Sequence, residues 1–286
     1  MLKRTLMASA IIAALMSACS PVRLLNTITP SKTFELLKNI PYGEHVRQKF
    51  DLYTPTSPKA NSPVLVYIHG GSWDSGSKGL YKFLAEGFTS EGLTVAALNY
   101  RLYPDAIYPD MLTDSAKGVA AVAERFPDRP LMLVGHSAGA YNTLMLALYG
   151  DFLTEAGVDL CTRISGVVSL AAPTGIIPLG EEPYITIFPD RLSKNDAPLN
   201  NVNAPAPPLF LANGKTDKTV YPANSEQLHA KVQKRGGTSE LHIYDKMNHT
   251  DIVKVISRHF DGDSTLKSDI LKFIAANSAA KTNYCQ

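Results

Sequence analysis

From about residue 43 onward, short runs of Val, Ile and Leu alternate with longer stretches in which apolar residues recur every three or four positions. The runs Gln48–Tyr53, Val64–His69, Thr94–Tyr100, Leu131–Val134, Gly166–Leu170, Leu209–Asn213 and Leu241–Tyr244 have the length and side-chain types of strands. The spacing between them predicts helices over Gly79–Glu91, Met111–Arg125, Ala138–Tyr149, Ala223–Gly236 and Asp251–Phe260, with a last one near Ser264–Ala276. Near-continuous apolar strands separated by helices predict an α/β fold, a mostly parallel sheet covered on both faces. We read residues 40–286 as a single domain. One stretch breaks the alternation: Pro173 to Pro208 holds eight prolines and no clean period. That predicts a small Pro-rich cap inserted above the strand ends, where such loops usually shape a ligand pocket. No continuous amphipathic helix is evident in it.

The first residues follow another logic. Lys3 and Arg4 precede the apolar stretch Leu6–Ala18, which ends in small residues and Cys19. This is the build of a secretory signal, and it is too short to span a bilayer comfortably. Residues 1–18 are therefore expected to be a signal peptide, and residues 19–39 a tether with few periodic signals, onto which no fold is forced. Hydrophobic residues make up 45% of the chain and the formal net charge is +2. That is enough for a substantial core and gives no reason to expect nucleic acid or a strongly acidic partner. Setting Cys19 aside leaves Cys161 and Cys285. In an oxidising compartment they could form a disulfide that ties down the C-terminal tail, or remain two thiols.

The chemistry centres on Gly135-His136-Ser137-Ala138-Gly139, a G-x-S-x-G pattern between a predicted strand and a predicted helix. A serine in so sharp a turn needs small neighbours, and its hydroxyl stands at the first turn of a helix whose free N–H groups favour negative charge. Ser137 then needs a base and a group to orient that base. Asp217 lies in the loop after strand Leu209–Asn213, and His249 in the loop after strand Leu241–Tyr244. His45, His229, His242 and His259 sit in an early turn or in predicted elements, where packed or surface roles are ordinary. His136 should point away from the serine, and Asp245 and Asp251 flank His249 too closely to orient it. Asp190 and Asp196 fall in the Pro-rich insertion. The loop His69-Gly70-Gly71-Ser72-Trp73 follows strand Val64–Ile68, and its glycines let backbone N–H groups turn inward around an oxyanion, together with the N–H of Ala138. His69 is expected to brace that loop, and Trp73 to line the pocket as a substrate-binding residue.

In this order and setting the motifs resemble the esterase branch of the α/β-hydrolase superfamily, the group related to hormone-sensitive lipase and to bacterial carboxylesterases with an HGG loop. The resemblance covers roughly Gly43 to Phe260. HGGSW at 69–73 is closer to the form of kynurenine-formamidase-like and small acetyl- or feruloyl-esterase-like members than to HGGG. Asn99-Tyr100-Arg101-Leu102 resembles the DYRL segment of that group, with Asn99 in place of aspartate. The resemblance implies an α/β-hydrolase fold, oxyanion donors at Gly71, Ser72 and Ala138, and no cofactor or metal. Leu15-Met16-Ser17-Ala18-Cys19 resembles a bacterial lipobox with Met16 in place of leucine. It implies lipidation of Cys19, membrane attachment through it, and, from Ser20, an outer-membrane destination in a bacterial cell envelope.

The leading expectation is a serine carboxylesterase acting on a small-molecule ester with a small or medium acyl group, acyl groups on sugars or phenolic acids included. An amidase or formamidase using the same triad is the second, although the lipoprotein-like start fits poorly with the cytoplasmic kynurenine pathway. A non-catalytic hydrolase-fold binding protein of the cell envelope is the third, weakened by the presence of every triad candidate.

Overall fold

The computed structural model describes residues 21–175, 182–189, 197–202 and 206–278. The expected signal peptide at residues 1–18, Cys19, Asp190, Asp196 and Cys285 lie outside the described residues, as does part of the Pro-rich insertion. The strands are β1 (Phe34–Pro41), β2 (Lys49–Pro55), β3 (Val64–Ile68), β4 (Thr94–Leu98), β5 (Leu131–His136), β6 (Ile164–Leu170), β7 (Leu209–Gly214) and β8 (Ser239–Tyr244). They form one sheet in the order β1-β2-β4-β3-β5-β6-β7-β8. β1 and β2 pair antiparallel, β2 runs antiparallel to β4, and every later pairing is parallel.

Helices α1 (Pro21–Ile28), α2 (Lys82–Thr89), α3 (Asp110–Arg125), α4 (Ala138–Leu148), α5 (Asp151–Glu155), α6 (Leu160–Arg163), α7 (Tyr184–Ile187), α8 (Ala223–Lys234), α9 (Asp251–Lys254) and α10 (Leu266–Ala276) flank the sheet. The period of two along each strand sorts the core into two layers. Val64, Val66 and Ile68 face α3, α4 and α8 through Leu112, Val119, Leu144 and Leu228. Leu65 and Tyr67 face the other way, onto Phe83 and Phe88 of α2 and Ile270 and Phe273 of α10. Both faces are covered, so the central strands are buried at every position, as the apolar runs predicted.

Two segments differ from the sequence reading. The stretch taken as tether, residues 19–39, contains α1 and most of β1. Leu25 and Phe34 are buried in the second core layer, Asn26 donates to the Gly79 carbonyl and accepts from Phe83 N, and Phe34 pairs with Pro55. β1 is an edge strand with one face in solvent, so few of its residues are apolar and buried, and the pattern is faint. The helix predicted over Asp251–Phe260 is broken into α9 and a 3-10 turn at Arg258–Phe260.

The Asn99–Leu102 segment is held by one buried carboxylate. Asp114 on α3, with its side chain fully buried, accepts Gln48 Nε2 at 2.8 Å and the Arg101 backbone N, Nε and Nη2, each at 2.9 Å. This joins the turn before β2, the loop after β4 and α3 at one point. Asp114→Ala leaves the Arg101 guanidinium without its acceptor and should destabilise the fold by about 3 kcal/mol, the low end for a broken buried pair because Arg101 is partly exposed. Urea unfolding followed by circular dichroism should show the lower midpoint, with an unchanged slope.

Candidate active site

Ser137 lies between β5 and α4 with φ 55° and ψ −123°. This conformation is strained for a residue with a side chain and is the sharp elbow that G-x-S-x-G predicts. The turn is held by Ser137 N donating to Leu170 O at 2.9 Å and Tyr141 N donating to Ser137 O at 3.0 Å. Gly139 allows it sterically: a Cβ there would stand 2.0 Å from Ile68 O and 2.6 Å from His69 O. The helix start is thus pressed onto the end of β3, the strand that leads into the HGG loop.

The structure brings Asp217 and His249 to this serine. His249 Nε2 is 2.9 Å from Ser137 Oγ, and its Nδ1 is 2.8 Å from Asp217 Oδ2. A carboxylate only accepts, so Nδ1 carries the proton and Nε2 is free to accept from the serine hydroxyl. The Asp217 side chain is fully buried, while that of His249 is 15% exposed. Burial alone would raise the Asp217 pKa, but hydrogen bonds from His249, Val220 N and Thr219 N together hold it below the usual carboxylate range.

The two loops are knitted at their bases. Lys215 N donates to Tyr244 O, and Thr216 N and Oγ1 both donate to Met247 O. Beyond them, Asn248 Oδ1 accepts Thr250 N and Asp251 N while Asp251 Oδ2 accepts Asn248 N, a reciprocal cap at the start of α9. Asp251 therefore pins the loop that carries His249, and Asp245 pairs with Lys215 in solvent.

The HGG loop reverses its backbone through three consecutive positive-φ residues, Gly71 (123°), Ser72 (52°) and Trp73 (61°). Gly71 O accepts Asp74 N, Ser75 N and Ser75 Oγ, and a Cβ on Gly71 would lie 2.4 Å from Ser75 O. A succession of N–H groups in such a turn forms an anion-binding concavity. His69 Nδ1 donates to Gly70 O at 2.8 Å, Arg47 Nη2 approaches His69 Nε2 at 3.4 Å, and Tyr100 donates to His69 O. Arg47 also donates to Gly76 O and Tyr100 O, so the turn before β2 clamps both ends of the HGG loop. This role of Arg47 was not read from the sequence, since nothing near it forms a motif.

Trp73 is corrected from a pocket-lining residue to a packed one. It is only 2% exposed, donates from Nε1 to Asn142 Oδ1 at 3.0 Å, and meets Tyr141 and Phe188 edge-on at 5.1 and 4.9 Å. It backs the HGG loop from behind. From the Pro-rich insertion, Tyr184 on α7 also reaches the loop, its hydroxyl donating to Ser72 Oγ at 3.1 Å. No periodic signal marked Tyr184, because the contact joins residues 112 positions apart. Cys161 on α6 is disulfide-bonded.

Burial keeps two imidazoles near the site neutral. The His69 pKa falls to about 4 through burial, with a smaller push from Arg47, and that of His136 to about 3 through burial and then the neighbouring His249. In the unfolded chain both take up protons below about pH 6.5, but in the fold only near the lowered values. Their stabilising contribution is complete above pH 6.5 and is lost as pH falls from there towards 4 and 3. Tm measured from pH 7 to pH 4.5 should therefore decline, and His69→Gln should flatten that slope. A Tm independent of pH over this range would show that these imidazoles titrate freely in the fold.

Comparisons with known proteins bear on the family and the fold. The chain is 27% identical over 246 residues to a probable isoprenylcysteine alpha-carbonyl methylesterase of Oryza sativa subsp. japonica, covering 76% of this chain and 58% of that protein. It is 26% identical over 253 residues to kynurenine formamidase of Salmo salar, covering 84% and 82%. The chain thus spans little more than half the length of the rice relative. Esterase B of Lactobacillus rhamnosis, solved inhibited by a C4-C4 tributyrin phosphonate, superposes with a TM-score of 0.77 at 17% identity over 96% of both chains. That likeness shows a shared α/β-hydrolase fold. Residues 50–232, more than half of the sequence, match BD-FAE, and the chain belongs to the BD-FAE family.

Proposed function

We propose that this protein is a serine esterase that hydrolyses small or medium acyl esters through an acyl-enzyme. The observation that carries the reading is the continuous relay from Ser137 Oγ through His249 to the buried Asp217 carboxylate. Ser137 Oγ attacks the ester carbonyl while His249 Nε2 takes its proton, and Asp217 stabilises the imidazolium that results. The carbonyl oxygen becomes an oxyanion facing the backbone N–H groups of Gly71, Ser72 and Ala138. His249 returns the proton to the leaving alcohol, and water, deprotonated by the same imidazole, releases the acid. The methylesterase relative and the family support this bond type.

An amide bond is the second reading, favoured by the kynurenine formamidase relative, whose match covers most of both chains. The same groups would protonate a leaving amine in place of an alcohol. With p-nitrophenyl acetate, Ser137→Ala should lower kcat by about a million-fold, as loss of a triad nucleophile does elsewhere. Activity that survived this substitution in folded protein would refute the assignment. Rates on acetate esters beside N-formyl aromatic amines should favour the esters.

We also propose an envelope location, with the chain anchored through lipidated Cys19. The leader and the disulfide at Cys161, a bond typical of oxidising compartments, support it. Cys19→Ser should abolish labelling by a radioactive fatty acid in a bacterial host and release the protein from the membrane fraction.

A further inference from the structure

We infer that His136, the residue before the serine, is a positioning residue for His249, holding the base at its distance from the nucleophile through a hydrogen bond to the His249 backbone. The inference rests on the serine-hydrolase reading above. His136 Nε2 lies 2.8 Å from His249 O. A carbonyl oxygen only accepts, so Nε2 carries the proton, and in the neutral ring Nδ1 is left as a lone pair. That nitrogen is buried and has no hydrogen-bond partner. It faces the HGG loop, since a Cβ built on Gly70 would lie 3.3 Å from it and 2.7 Å from His136 O. The ring is therefore wedged between the oxyanion loop and the loop of the base, with its centroid 4.9 Å from that of His249.

A buried nitrogen without a partner is unfavourable, and a carbocyclic ring would fill the same space without that cost. What the imidazole adds is the N–H on Nε2. That bond joins the strand of the nucleophile directly to the loop of the base, across 113 residues. The other anchors of that loop act elsewhere: Thr216 holds the Met247 carbonyl, and Asn248 caps α9. Only His136 grips residue 249 itself among the contacts described for its backbone. Burial keeps the ring neutral, so its charge does not oppose the imidazolium that forms on His249 during turnover.

The test compares three variants. His136→Phe keeps the ring and removes the N–H. His136→Gln places an amide N–H near the position of Nε2, and His136→Asn places one near Nδ1. With p-nitrophenyl acetate, His136→Phe and His136→Asn should lower kcat by about 10- to 100-fold, the scale of a base displaced by a fraction of an ångström to 1 Å. KM should stay within about twofold, since the bond acts on the base and not on substrate binding. His136→Gln should recover most of the loss. Wild-type kcat in His136→Phe overturns the inference, as does a His136→Gln no better than His136→Asn. The second comparison decides the matter if the Phe variant does not fold. A wild-type protein that neither turns over esters nor labels at Ser137 with a fluorophosphonate refutes the hydrolase reading instead, and the two failures are separate.

Discussion

Helix α4 can begin against the end of β3 only because no side chain stands at residue 139. The 2.0 Å that would separate a Cβ there from Ile68 O leaves room for a hydrogen atom and nothing larger. From that approach the rest of the site follows. The helix start and the HGG loop, which leaves the same end of β3, become neighbours, so the N–H of Ala138 and those of Gly71 and Ser72 can face one space. The serine on the elbow is forced into positive φ and raised above the sheet edge. The backbone approach comes first, and the positions of Ser137 and of the proposed oxyanion donors are its consequences.

The remaining members depend on adjacent parallel strands. β7 and β8 end side by side, so the loops that follow them run in contact and share hydrogen bonds through Lys215, Thr216, Tyr244 and Met247. Asp217 and His249 sit one step beyond those bonds. Burial opposes a charged Asp217, and two backbone N–H groups together with the imidazole outweigh that opposition. The carboxylate is thereby fixed in direction as well as in charge, which sets which nitrogen of His249 faces the serine. A similar economy of contacts appears behind the HGG loop. Arg47, His69 and Tyr100 lock its backbone, and Trp73 fills the space beneath it against Asn142, Tyr141 and Phe188.

The central architecture was legible because its signals are local. Strands buried on both faces must be apolar at every position, and β3, β5 and β7 stand out for that reason. Ser137 and Asp217 were legible because each follows such a strand, and His249 because it lies in the loop after β8, the next strand of the alternation. β1 was not, since in this edge strand only Phe34 is buried and its apolar residues follow no clean alternation, and its support comes from pairing with β2. Trp73 was misplaced for a related reason. An indole beside an oxyanion loop can face substrate or core, and the choice is made by Asn142 and Phe188, which are distant in the chain.

What the sequence determined by itself was the alternation of elements, the small residues at the elbow and the HGG loop, and the order Ser137, Asp217, His249. These are properties of neighbours in the chain, where sterics and burial act within a few residues. Only the tertiary structure decided the contacts that join distant segments: His136 to the His249 carbonyl, Arg47 to the HGG loop, Tyr184 to Ser72, and Asp114 to Arg101 and Gln48. Each is a hydrogen bond whose partners are brought within reach by the packing of whole elements. Nothing in the local pattern at either end identifies the other.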